Sequence, residues 1–395
     1  EAYGGGLFTD GVDVFVNDSV FTRLSANAGE AYGGAIAIDG GANLSLVNST
    51  MGTNAASFGG GAVAVFDGKL GTSGSFFQFN SAGLASATDP NAAVGGAIYL
   101  ADDPNAKMSM VNTRVQQSEA ADSGGAIWMG DQANALVRES TFITNEAKGD
   151  GPGDGGGAIF NDGGTLLIEF SSFTDSFALG TNGSGGTIHS SGDGRVILRG
   201  SDVRNSMAEM SGGALAIVDG SALVEGSNIR GSMTLSGPGG AVSSTGTAVV
   251  DFVDSTIAQS QSAAEGGALF LGAMTTTTLG DTVVTQSIAA GPGGAIFAED
   301  GAGLTIQGSS ALIFAEASSA PGIASGDTTT GLGNIKLLGA LVLDAAVVGG
   351  SRNDLLEGDV SGNRFFGEAG NDTLDGRGGD DTLSYASRIH NEGMQ

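Results

Sequence analysis

The sequence predicts an all-β protein: a right-handed parallel β-helix of about 11–12 coils with a parallel β-roll at its C-terminus. Three observations predict it. A glycine pair, a small residue and an aliphatic residue recur eleven times, with the first glycine at Gly4, Gly33, Gly60, Gly95, Gly124, Gly156, Gly185, Gly212, Gly239, Gly266 and Gly293. A hydroxyl residue, an apolar residue two later and Asn or Ser three after that recur ten times, from Thr22, Leu24 and Asn27 to Thr282, Val284 and Ser287. From Gly349 a shorter unit of nine residues repeats four times. The glycine pairs lie 27 residues apart in the last four intervals and 35 at most, and a period of this size marks a stacked repeat.

The elements follow in order. Glu1-Ala2-Tyr3-Gly4-Gly5 reappears as Glu30-Ala31-Tyr32-Gly33-Gly34, so the chain opens inside a repeat and is expected to be a piece of a longer protein. Within each repeat, short alternating runs such as Leu44-Ser45-Leu46 read as brief strands. Asp-Gly steps at Asp39-Gly40, Asp67-Gly68 and Asp219-Gly220 supply turns. No stretch keeps a 3.6-residue apolar period, which sets helical repeats aside. A repeat of this length suffices for three short strands and three turns, one coil of a β-helix.

Coils stacked at the ordinary strand spacing, about 4.8 Å, align equivalent residues in ladders. The aliphatic residue after each Gly-Gly-small phrase, from Leu7 through Ile36 and Ile127 to Ile296, is expected to face inward. The Asn/Ser column is expected at a bend, its side chains bonding the next coil. The glycine pairs would supply positive φ and a close approach to the neighbouring coil. After Gly301 the pattern fades: Pro321-Gly322-Ile323 reads as a degenerate twelfth coil, and Ile335–Val348 as the end of the stack. Residues 1–345 are assigned to the β-helix, 346–384 to the roll and 385–395 to a tail.

The Gly-Gly-Ala-Ile phrase, coupled to Phe-x-x-Asn at Phe77–Asn80 and Phe142–Asn145, resembles the repeat of polymorphic outer-membrane proteins and autotransporter-like surface β-helices. The resemblance covers roughly residues 1–300. It implies the fold and a cell-surface setting; such scaffolds carry adhesins and polysaccharide enzymes alike.

The chain has 395 residues, 71 glycines, no cysteine and a formal net charge of −28. Glycine at this level without a three-residue period is not collagen, and 40% apolar content is not simple disorder. The acidity argues against nucleic acid or an anionic membrane as a partner, because both need a basic face. No run of 18 apolar residues exists to cross a membrane. Such acidity suits an extracellular or cell-surface protein bathed in divalent cations.

The four nonads read GGSRNDLLE, GDVSGNRFF, GEAGNDTLD and GRGGDDTLS. They resemble the calcium-binding nonapeptide of RTX proteins, Gly-Gly-x-Gly-x-Asp-x-apolar-x. Their sixth positions are Asp354, Asn363, Asp372 and Asp381, and their apolar eighth positions are Leu356, Phe365, Leu374 and Leu383. Calcium, a hard cation that takes six to eight oxygens, fits carboxylates and turn carbonyls. The resemblance implies ions held between turns n and n+2, pairing Asp354 with Asp372 and Asn363 with Asp381. It also implies export by a type I route.

A β-helix followed by such nonads resembles secreted mannuronan epimerases, which carry a Tyr-Gly-x-Asp-Pro-His type motif. Here Asp89-Pro90 and Asp103-Pro104 are followed by no His, and the only histidines are His189 and His390. Adhesion or binding of a glycan or host matrix is therefore the first functional reading, and a polysaccharide lyase or uronan epimerase the second. Strand alternation turns the residue after the buried aliphatic outward. That column holds Tyr99, Trp128, Phe160 and His189 beside long insertions at Ser81–Val94, Glu146–Gly155 and Phe177–Ser184. These four side chains are the candidate ligand surface. The alternative is rings that merely stack as cross-strand neighbours and are capped by the loops.

Overall fold

The computed structural model describes residues 2–27, 29–83, 93–291, 293–299, 301–307, 310–313, 323–325, 334–338, 342–343, 347–348, 355–358, 362–367 and 370–385. The described residues contain no helix. They form a parallel β-solenoid of about 11 coils, and its strands stack into four long parallel sheets of 15, 14, 12 and 10 strands. One coil runs Ile36–Asp39, Ala42–Val47, Thr50–Gly52 and Ala55–Ala56, one strand for each sheet in turn. The three-strand expectation therefore missed a fourth, two-residue strand, too short to show an alternation in sequence.

The first sheet carries the aliphatic ladder. Ile36 is in register with Val63, Val63 with Ile98 and Ile98 with Ile127, and the ladder continues to Ile296. Ile36, Ile127 and Ile296 are fully buried, as the sequence predicts. Inward residues of the second and third sheets, such as Leu44, Leu46, Phe77 and Phe142, complete one continuous core.

Each glycine of a pair has its own task. Gly266 adopts φ +63, open to a residue without Cβ. Gly267 has no such φ, but a Cβ there would run into the carbonyl of Gly294 in the next coil. The first glycine turns the chain, and the second lets two coils approach.

The hydroxyl column bonds down the stack. The Ser49 N–H donates to Ser75 Oγ at 3.1 Å, and the Ser201 N–H donates to Ser227 Oγ at 3.1 Å. The Asn column works likewise: Asn80 Oδ1 accepts the Asn54 N–H at 3.0 Å, and its amide donates to the Met51 carbonyl at 2.9 Å. At three of the positions where Ser replaces Asn, Ser118, Ser176 and Ser232, the buried hydroxyl has no hydrogen-bond partner among the described residues. Ser is too short to span to the neighbouring coil.

In the first coil the register differs from expectation. Ser19, Phe21 and Leu24 occupy the three columns, because Phe21 pairs with Met51 and the Ser19 and Leu24 N–H groups donate to Ser49 and Asn54. The expected Thr22, Leu24 and Asn27 sit three residues late. The segment before the next glycine pair is three residues longer here, so counting back from Gly33 misplaces the column.

Just before the hydroxyl column each coil from Ser19 to Thr282 bends through a left-handed residue, among them Asn48 (φ 49), Glu139 (φ 51) and even Phe170 (φ 50). A second left-handed column follows the third sheet at Thr53, Phe79 and Asn205. Only some of these residues are glycine, so no sequence signature marked the bends.

Beyond Gly301 the stack continues. Ile323 pairs with Ile296, in keeping with a twelfth coil, and Ser310 extends the hydroxyl ladder by accepting the Thr282 N–H. The first and second sheets then run on into the nonad segment: Val347 pairs with Phe365, Phe365 with Leu383, Ile335 with Leu356 and Leu356 with Leu374. Among the described residues the third and fourth sheets stop earlier. The four-faced solenoid narrows to a two-faced roll stacked on the same axis.

Candidate functional site

In the roll, three-residue strands Leu355–Glu357 and Thr373–Asp375 lie on one face, with Arg364–Phe366 and Thr382–Ser384 on the other. Nonads n and n+2 are therefore neighbours. Leu356, Phe365 and Leu374 are buried, as their eighth position predicts, whereas Leu383, in the last strand among the described residues, is exposed.

The sixth positions Asn363 and Asp381 come together on one side, through the backbone of the first. The Asn363 N–H donates to Asp381 Oδ1 at 2.8 Å, and the Thr382 N–H returns to the Asn363 carbonyl at 2.7 Å. Asn363 is buried and Asp381 half-buried. Asp372 is half-buried on the opposite side, and its expected mate Asp354 lies outside the described residues.

In the last three nonads the sixth-position oxygen folds back over the glycine that opens the nonad. A Cβ on Gly358, Gly367 or Gly376 would run into the side-chain oxygens of Asn363, Asp372 or Asp381 respectively. These cradles hold acceptor oxygens beside bare backbone. Among the described residues no three acidic or histidine side chains converge; carboxylate, amide and turn carbonyl oxygens are what the nonads offer toward the six to eight that calcium takes. The donor set, carboxylate, amide and peptide oxygens without nitrogen or sulfur, fits a hard cation.

The ring column leaves the solenoid interior as strand alternation predicts, yet it is mostly covered. Tyr99 is 9% exposed, Phe160 8% and His189 1%; only Trp128 is half-buried. Tyr99 stacks flat on Trp128 with centroids 5.0 Å apart, and Phe160 stacks on His189 at 4.9 Å. The sequence reading includes loops as a cap, in its alternative, but not the aromatic part of the cover. Ala37 and Ala64 are small members of the same column, and they leave room for Tyr32, Phe58 and Phe66, which pack with Tyr99 and Trp128 as a satellite cluster outside the first sheet. Burial pushes the Tyr99 hydroxyl pKa upward, with smaller contributions from Tyr32 and Asp102.

Two of the long insertions do share one edge and are laced together. Asp150 Oδ1 accepts the Thr181 backbone N–H at 2.7 Å and its hydroxyl at 2.9 Å. Within this cover His189 is fully enclosed, and neither ring nitrogen has a hydrogen-bond partner. Burial lowers its pKa to about 4; the backbone of Ser184 opposes that shift without reaching good hydrogen-bond geometry. The ring is therefore neutral at ordinary pH.

Residues 348–383 match the family profile of the RTX calcium-binding nonapeptide repeat, in 4 copies. No curated protein matches the chain. The C-terminal segment thus carries RTX calcium-binding repeats, and they are built onto the end of a parallel β-solenoid.

Proposed function

We propose that this chain is the rigid body of a secreted or cell-surface protein that acts in adhesion, or in binding matrix or glycan, with calcium stabilising its C-terminal end. The observation that carries this reading is the continuity of the first and second sheets into the RTX segment. Calcium held in that roll would brace the last coils of the solenoid, since ions that bind only the folded form stabilise it. Such bracing suits a setting rich in calcium. The remaining length is a set of flat parallel sheets on which outward side chains stand at regular spacing, a surface suited to a repetitive ligand. The Gly-Gly-Ala-Ile and Phe-x-x-Asn phrases add support through their resemblance to surface β-helices.

In this reading the stacked column of Tyr99, Phe160 and His189 braces the loops, and Trp128 is its one member placed to touch a ligand. A glycan and matrix-protein array probed with the calcium-loaded chain, beside a lyase assay on uronate polymers, tests the reading. Saturable, calcium-dependent binding without product release is expected. Unsaturated uronate products, or no binding to any glycan or matrix component, would overturn it.

A further inference from the structure

The outward face of the second sheet has one feature that packing does not explain. Its central outward column reads Phe15, Ser45, Gly71, Ser109 and Leu136, each in register with the next. Gly71 lies inside the strand Gly68–Ser73. Its φ is outside the left-handed region, and a Cβ there would meet only the Leu44 carbonyl oxygen at 3.8 Å, an ordinary contact. The strand would accept a larger residue, and glycine inside a strand weakens it unless something must approach closely. The gap opens a depression of about 330 Å³ lined by Asn43, Ser45, Lys69, Gly71, Lys107 and Ser109, within the size range of small-ligand sites.

The charges at this depression are also unlike those in the column at the other end of the same strands. Arg138, Glu169, Arg199 and Glu225 alternate in sign from coil to coil and bond one another: Arg138 Nε donates to Glu169 at 3.0 Å and Arg199 Nε to Glu225 at 2.8 Å. Lys69 and Lys107 instead stand directly opposite each other on neighbouring coils, an arrangement that like charge destabilises. Lys148 pairs with Glu119, but Lys69 and Lys107 form neither an ion pair nor a hydrogen bond among the described residues. The carboxylate that feels Lys69, Asp13, is already held by the backbone and side-chain N–H groups of Asn43. Two like charges side by side, with only the Asn43-bound Asp13 carboxylate near Lys69, beside a floor without side chain are a site that an anion would stabilise.

We propose that the dip over Gly71, flanked by Lys69 and Lys107, binds one acidic sugar unit, a pyranose bearing a carboxylate or sulfate. The assignment rests on the glycan-binding reading above and gives it a place. Lys69 and Lys107 meet the anionic group, Ser45 and Ser109 offer hydroxyls to the ring hydroxyls, and the 70% exposed Phe15 lies one coil beyond Ser45 as an apolar platform. A chain of net charge −28 repels an extended polyanion, so the site suits a single charged sugar within a largely neutral glycan.

The test is calorimetric titration of the calcium-loaded chain with a hexose trisaccharide carrying one terminal uronate, the same trisaccharide carrying one sulfate instead, and the unmodified neutral trisaccharide. The chain should bind one or both charged sugars and not the neutral one, and the two charged arms separate carboxylate from sulfate. The double change Lys69→Gln with Lys107→Gln should weaken binding at least about tenfold. Gly71→Val, which favours the strand and fills the dip, should do the same with the melting temperature held or raised. Undiminished affinity in either variant would overturn the assignment while leaving glycan binding intact. No binding of the charged trisaccharides by the unaltered chain would also overturn it, and the broader reading falls only if the array is blank as well.

Discussion

Replacing His189 with Phe should make the protein less sensitive to acid, and the size of the change follows from burial. The imidazole is 1% exposed, stacked on Phe160, and has a pKa near 4 against an ordinary value of about 6.5. Between those values the unfolded chain binds a proton that the folded chain refuses. The stability tied to the neutral ring is therefore complete above about pH 6.5 and is lost as pH falls toward 4. A separation of that size corresponds to about 3 kcal/mol in total, of which about 2 kcal/mol is lost by pH 5. His189→Phe keeps a ring in the stack, removes two buried nitrogens without partners and removes the titration. Amide exchange of the strand Ile188–Ser191, followed in both proteins at fixed calcium between about pH 7.5 and 5, measures it. Carboxylate titrations are common to both proteins and cancel in the difference. The variant should exceed the parent by a margin that widens by about 2 kcal/mol toward pH 5. A margin that does not change with pH would show that the ring is hydrated or paired, and the burial argument would be refuted.

Asn80→Ala should strip partners from the Asn54 N–H and the Met51 carbonyl and cost about 2–5 kcal/mol locally, read as faster amide exchange in those two coils; unchanged exchange would mean that water replaces the amide. Ser176→Asn should gain about 1 kcal/mol by restoring the span that a lone buried Ser hydroxyl leaves open; a lower melting temperature would show that the column has no room for the larger side chain there. Gly376→Ala should push the Asp381 carboxylate out of its cradle and raise the calcium concentration needed to fold the roll, followed by circular dichroism; an unshifted midpoint would mean that Asp381 does not face the ion.

The repeat, its inward ladder and the nonad phase were legible in the sequence because each depends on residue type at fixed spacing. A buried aliphatic, a glycine that a neighbouring carbonyl must approach and an Asn bonding to the next coil each tolerate few substitutes, so they recur visibly at Ile36, Gly267 and Asn80. Features held by backbone conformation or by contacts between coils left no such mark. The left-handed bends accept Asn48, Glu139 and Phe170 alike, because stacking pays for the strain whatever the side chain. The first coil's register, with Ser19 in place of Thr22, depends on where three extra residues bulge, which pairing with Ser49 decides. Outward and exposed proved to be different properties for Tyr99, Phe160 and His189: alternation sets direction, but only packing against Tyr32, Phe58, Phe66 and the laced loops sets cover. The stacking of the roll on the solenoid axis was likewise decided in three dimensions, by the register of Val347 with Phe365 and of Ile335 with Leu356, since hydrogen bonding between strands distant in sequence depends on geometry that no local pattern encodes.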